Sequence, residues 1–291
     1  MGRGWQKCPA PLDKRVTKLE HNAPCIHLIE RLKLGKGQKS MTIPKAGQVE
    51  AHDLTDGVDI VQEEDIGMTY TSLSTSEVGL KFILTDKLVR QLNEDAFKII
   101  GRQMGDAMAR KRDKDIIALF SALNGGTTLG ADNLHLSAGL AARCVSRATA
   151  HKYPNPVHVV HHPNALANLS MGLVSIGSQS ALVTHYYSGI LSPDQEKYLR
   201  NFFAININGV NFFHDGNIEK IGSTDSGYGA IFSKSAMAII ESQAPQTERE
   251  RDASLRAWEV VMVADYGCYE IDDSYGAPMR FEIGDMVTTS T

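Results

Sequence analysis

"LTDKLVRQLNEDAFKIIGRQMGDAMARKRDKDIIALFSAL", Leu84 to Leu123, contains no proline. As one helix, its roughly 40 residues would span about 60 Å. Apolar residues recur at Leu88/Val89, Leu92, Ala96, Ile99/Ile100, Met104, Ala107/Met108, Ile116, Leu119/Phe120 and Leu123. That spacing places them on one helical stripe. Thr85 is a natural N-cap, Asp86 suits the positive end of the helix dipole, and Asn124-Gly125-Gly126 is a stop signal. A single stripe predicts a strut lying on a sheet rather than a coiled coil or a membrane span. Gly101 and Gly105 mark a place where another element packs close, each at about 1 kcal/mol of helix propensity. The stripe breaks at "ARKRDKD", Ala109 to Asp115. With both signs interspersed, this turn reads as a solvated or inter-subunit face in preference to a nucleic-acid surface.

The segments before the strut have a different character. Residues 1–37 hold Pro9, Pro11 and Pro24, many basic residues and one short amphipathic stretch, Ile26 to Leu34. They predict an extended arm with a small helix that contributes nothing to a core. Residues 38–84 are rich in Thr, Val, Ser and Ile, and Val78, Leu80, Phe82 and Leu84 share one parity. This predicts a long two-stranded excursion around a polar centre, "DLTDGVDIVQEEDIG". An isolated hairpin is marginal in water, so this one needs a surface to lie on.

Downstream, helix and strand alternate. "SAGLAARCVSRATAHK" from Ser137 reads as a helix, "PVHVVHH" from Pro156 as a strand, and Pro163–Met171 as a short helix. Ser192, Pro193 and Gln195 form a capping box with proline at the first helical position. Asn208-Gly209 between strand-like flanks is a strong hairpin signal. "GAIFSKSAMAIIE" is a strand pair or one long strand, "QTERERD" a charged connector, and "SLRAWEVVMVADYGCYEI" and "APMRFEI" two closing strands.

The 291 residues, 42% of them hydrophobic, can bury a sizeable core, and a net charge of −4 gives no basic excess for avid nucleic-acid binding. No apolar run reaches the ~18–20 residues of a membrane span. The N-terminus lacks the apolar core of a signal peptide, so the protein is expected to be soluble and cytosolic when made. Cys8, Cys25, Cys144 and Cys268 form no C-x-x-C pair, which favours a reducing compartment. His158, His161 and His162 cluster on one predicted strand without a carboxylate nearby in sequence. They read as structural or surface histidines, not metal ligands. "GLVSIG" from Gly172 has the wrong spacing for a nucleophile elbow. Cys144 has no paired histidine in view, and no phosphate-binding glycine motif is present. Catalytic, cofactor-binding and metal-binding residues are therefore all expected to be none, and the protein not to be an enzyme.

What remains is an arm, an unsupported hairpin, a long helix, a mixed unit and returning strands, the pattern of a protein that completes itself on its neighbours. The order of these parts resembles the major capsid proteins of tailed bacteriophages, the Hong Kong 97-type fold. The resemblance is carried by "SMTIPKAGQVEAHDLTDGVDI" leading into "SEVGLKFILTDKLVRQLNEDAFKIIGRQMGDAMARKRDKDIIALFSALNG". It continues through "HVVHHPNALANLSMG", "FAININGVNFFHDGNI", "GYGAIFSKSAMAIIES" and "ERDASLRAWEVVMVADYGCYEIDDSYGAP", in that order.

The resemblance implies an α+β fold with an N-terminal arm (1–37), an extended β-hairpin loop (38–84) and a long spine helix. The spine helix opens a peripheral domain (85–135) completed by returning strands (246–291), with a mixed axial domain between (136–245). It implies a shell subunit that assembles through pentamers and hexamers into an icosahedral virion capsid around double-stranded DNA, touched without sequence readout. It also implies synthesis in the host cytoplasm. Further partners would be a separate scaffolding protein, a portal and decoration proteins, with no membrane and no cofactor. Lys36, Lys39 and Lys45 lie in or near the loop, yet nothing singles out a partner asparagine for the lysine–asparagine cross-link some relatives make. Two other readings stand beside this one: an encapsulin-type cellular shell, which shares the fold, and a hydrolase with an unmarked triad.

Overall fold

The computed structural model describes residues 24–45, 53, 56, 67–91, 96–175 and 203–284. The arm before residue 24, most of the loop centre and the Ser192 capping box lie outside the described residues.

The strut is described as helix α2 (Asp86–Gln91) and a 25-residue helix α3 (Ala96–Phe120). Residues 92–95 lie outside the described residues. α3 alone spans about 38 Å at 1.5 Å per residue, and helix is trimmed at both ends of the run predicted from Leu84 to Leu123. At its start, Leu84 and Thr85 end a strand, β4 (Ser76–Thr85). Thr85 nevertheless caps as expected, its Oγ1 accepting from the Leu88 amide at 3.3 Å. At its end, Leu123–Gly126 form a 3₁₀ turn in which Asn124, Gly125 and Gly126 all have positive φ. This is the left-handed backbone that Asn and Gly tolerate.

Four strands form the sheet on which α3 lies, in the order β1 (Glu30–Lys33), β10 (Met237–Asp252), β11 (Ala257–Glu270), β4. β1 runs parallel to β10, and the other pairs are antiparallel. Two expectations are corrected here. "QTERERD" is not a connector: Gln246–Asp252 pair residue by residue with β11. Alternating charge on an exposed strand imitates a linker when read alone, and the partner that makes it a strand is the apolar run of β11. The end of the arm is likewise core-forming. Helix α1 (Cys25–Leu28) leads through Ile29 into β1, and Cys25, Leu28 and Ile29 are fully or almost fully buried.

A six-stranded sheet follows the order β5 (Leu129–Gly130), β12 (Gly276–Glu282), β9 (Ser226–Ser233), β6 (Val157–His161), β8 (Val210–His214), β7 (Phe203–Ile207). The β7–β8 hairpin turns at Asn208 (φ 50°) and Gly209 (φ 83°), as its sequence predicts. Helices α4 (Ala138–Ala150), capped by Ser137, and α5 (Pro163–Ser175) accompany this sheet. The last strand, β12, hydrogen-bonds to β9 in this sheet and not to β10 or β11. The remaining pair, β2 (Ser40–Lys45) and β3 (Thr69–Ser74), is a separate two-stranded ribbon. One core runs through the body. Met104, Met108, Ile116 and Phe120 of α3 are buried with residues of both larger sheets, and the Phe120 ring lies 5.6 Å from that of Phe232 on β9.

Candidate functional site

The break in the α3 stripe is where the structure departs most from the sequence reading. Of "ARKRDKD", Arg112 and Asp113 are buried. Arg112 pairs with Glu241 on β10, and its guanidinium sits 5.1 Å from the centre of the Tyr266 ring on β11. Tyr266 donates to Asp115 at 2.8 Å. Only Arg110, Lys111 and Lys114 are exposed, the last two pairing with Asp115 and Glu219. The turn is therefore half a buried tie and half a surface, where a wholly solvated or inter-subunit face was expected.

Asp113 belongs to a buried cluster that joins three distant segments. Its Oδ1 accepts from the Cys25 amide (3.2 Å) and its Oδ2 from Asn217 Nδ2 (2.8 Å). Asp215, just beyond β8, accepts from the Asn217 amide (2.9 Å) and the Cys25 thiol (3.3 Å). Burial, then the neighbouring Asp215 carboxyl, pushes the Asp113 pKa well above the usual carboxylate value. Burial and the two aspartates likewise push the Cys25 thiol up. Ligand atoms of Cys25, Asp113 and Asp215 lie within 4.8 Å of one another, the spacing a metal ion would use. The donors present already engage those atoms, and the environment favours the protonated forms of Asp113 and Cys25, which do not bind metals. The cluster is thus a buried clamp tying the arm's end to α3 and to β8. No sequence signal marks it, because its members stand 88 or more positions apart.

The ribbon β2–β3 is the element with least support of its own. Leu73 is its fully buried side chain, while Tyr70 is 66% and the neighbouring Met68 53% exposed. Lys45 reaches Asp272, in the β11–β12 connection, at 2.6 Å. Lys36 and Lys39, in the link before β2, are exposed.

Among the other sequence candidates, His158 and His161 are buried in β6, with burial lowering their pKa values to about 4 and about 3. They are core residues held neutral. Cys144 is buried in α4 and its thiol is pushed up to about 11 by burial, the opposite of an activated nucleophile. Gly101 and Gly105 are buried on α3, consistent with close packing. In "TERERD", Arg251 makes a two-pronged bond to Asp86 (2.5 and 2.8 Å), and Arg249 and Arg251 both lie over the Trp258 ring. Of these charges, that of Arg251 is matched within the subunit.

A family model described as phage capsid protein matches residues 69–277, most of the chain and both larger sheets except β1 and most of β12. The chain belongs to the phage capsid protein family. As a phage capsid protein it is a structural protein of the virion shell, and its fold is of the Hong Kong 97 type. The head of Helicobacter pylori bacteriophage KHP40 matches with TM-score 0.66 at 8% identity, covering 98% of this chain and 95% of that one. Mycobacterium phage Che8 matches with TM-score 0.59 at 17% identity, covering 83% and 84%. A Synechococcus elongatus encapsulin, in its holo-SrpI complex, matches with TM-score 0.63 at 10% identity, covering 97% and 94%. The fold is thus common to phage heads and an encapsulin, and the family match favours the phage capsid protein. No curated protein sequence matches the chain.

Proposed function

We propose that this capsid protein assembles with copies of itself, through pentamers and hexamers, into an icosahedral shell that encloses phage double-stranded DNA. The observation that carries the reading is the ribbon β2–β3. It stands outside both larger sheets, with Tyr70 and Met68 exposed. A two-stranded ribbon of that kind has little independent stability, and a neighbouring subunit supplies the surface it lacks. In this reading 1–37 is the arm and 38–84 the extended loop. Residues 85–135 with 246–291 form the peripheral unit, and 136–245 the axial unit. The four-stranded sheet under α3 and the strands β6 to β9 follow this division, while β5 and β12 join the axial strands and β10 starts within the axial range. Synthesis in the host cytoplasm, a separate scaffolding protein, a portal, decoration proteins and contact with DNA that ignores sequence belong to the same proposal.

Negative-stain electron microscopy of the purified protein tests it. Closed shells are expected, and deletion of residues 41–78 is expected to leave a folded subunit that forms no stable shell. A protein that stays monomeric or dimeric at every concentration, with or without scaffold, would overturn the reading.

A further inference from the structure

The ribbon β2–β3 is held to its own subunit at two places. At its root, the Ser74 amide donates to the Tyr269 hydroxyl (3.2 Å), the Ser74 and Tyr269 hydroxyls lie 2.8 Å apart, and Thr75 Oγ1 donates to Asp265 (3.0 Å). β11 is bare where the root crosses it: a Cβ on Gly267 would lie 2.3 Å from the Ser74 carbonyl oxygen. The second place is farther along the ribbon. Ser40 pairs with Ser74 at the root and Lys45 with Thr69 at the outer end, and Lys45 is the residue that meets Asp272.

One attachment locates a ribbon but leaves its direction free, and a second fixes the angle. We propose that the Lys45–Asp272 pair is a strap that sets the angle at which the ribbon β2–β3 leaves the subunit, and so sets its reach toward a second copy of the chain. Asp272 is prepared for this. Its Oδ1 also accepts from the Ser274 amide (3.0 Å) and hydroxyl (2.6 Å), so the carboxylate is in place before Lys45 arrives. With the Lys45 side chain 40% and that of Asp272 13% exposed, the pair is solvated enough to bias the ribbon without locking it. The consequence for reach rests on the shell reading; the strap itself does not.

The test uses Lys45→Ala, Asp272→Asn, which keeps the acceptor for Ser274, and the conservative Lys45→Arg. Amide hydrogen exchange is followed in the purified subunit before assembly, and shell diameters are measured by electron microscopy. Lys45→Ala and Asp272→Asn are expected to raise exchange in 40–45 and 69–74 at least tenfold, leave β9 and β11 unchanged and broaden the diameters. Lys45→Arg is expected to match the natural protein in both readouts. Unchanged exchange in the ribbon, or exchange raised throughout the chain, would overturn the strap. Failure of the natural protein to form shells would instead overturn the shell reading, and the exchange result would still decide the strap.

Discussion

Asp113 and Asp215 both bond to Cys25 in the interior, with their ligand atoms within 4.8 Å of one another, and burial together with the Asp215 carboxyl raises the Asp113 pKa so that Asp113 carries a proton. The folded state therefore holds a proton that the unfolded chain releases above the ordinary aspartate value of 3.8. By linkage the stabilisation is full below that value and is lost as pH rises toward the raised folded pKa. Asp215→Asn keeps the acceptor for the Asn217 amide and removes the carboxyl that helps raise the Asp113 pKa. Its urea midpoint is expected to depend less on pH between 5 and 9 than that of the natural protein. Parallel pH profiles for the two would refute this coupling.

His158 and His161 act in the opposite direction. No hydrogen-bond partner meets either ring nitrogen of His158 among the described residues. Lys234 on one side, and His162 beside His161, further oppose protonation. With folded pKa values lowered from 6.5 to about 4 and about 3, the unfolded state takes up protons first as pH falls. Stability is therefore lost progressively below about 6.5. Between pH 7 and pH 5 each histidine is expected to remove roughly 2 kcal/mol. His158→Leu should recover about half of that loss in urea titrations of the subunit at the two pH values.

Gly229 on β9 makes room for His161. A Cβ there would lie 2.3 Å from the imidazole Cδ2 and 2.5 Å from the Val160 carbonyl oxygen. Backbone on one side leaves nothing free to move, so Gly229→Ala is expected to cost about 1–3 kcal/mol or more. A denaturation midpoint equal to that of the natural protein would count against this packing.

Phe120, fully buried at the end of α3 and tilted 35° against Phe232, fastens the strut to the six-stranded sheet. Phe120→Ala is expected to cost about 3–5 kcal/mol, measured by urea denaturation. The loss should exceed that of Ile100→Ala, since Ile100 is only partly buried.

Features carried by adjacent residues were legible in the sequence. The Thr85 and Ser137 caps, the Asn208-Gly209 turn and the Asn124–Gly126 stop each depend on three or four residues whose chemistry suits one backbone shape. Features that depend on remote partners were not. Arg112 and Asp113 look like the solvated charges around them, and only Glu241, Cys25 and Asn217 make them interior residues. The same holds for Ile26 to Leu34, whose burial comes from α3 and β10, and for Gln246–Asp252, whose strand character comes from β11. The ribbon was legible as strands from its composition, but its hold on Asp272 spans 227 positions and left no local trace.

Besides the long passage from β4 to β5 along α3, the chain crosses between the two larger sheets at two short connections, from β9 to β10 through Lys234–Ala236 and from β11 to β12 through Ile271–Tyr275. The crossings are bonded to each other: the Ile271 and Asp272 amides both donate to the Ala236 carbonyl, at 2.8 and 3.1 Å. Mechanically this is a rivet with two shanks. Tension applied to one sheet reaches the other through a few residues with no slack to draw out. Each subunit should therefore stretch as one stiff plate, and a wall built of such plates would yield first at its seams.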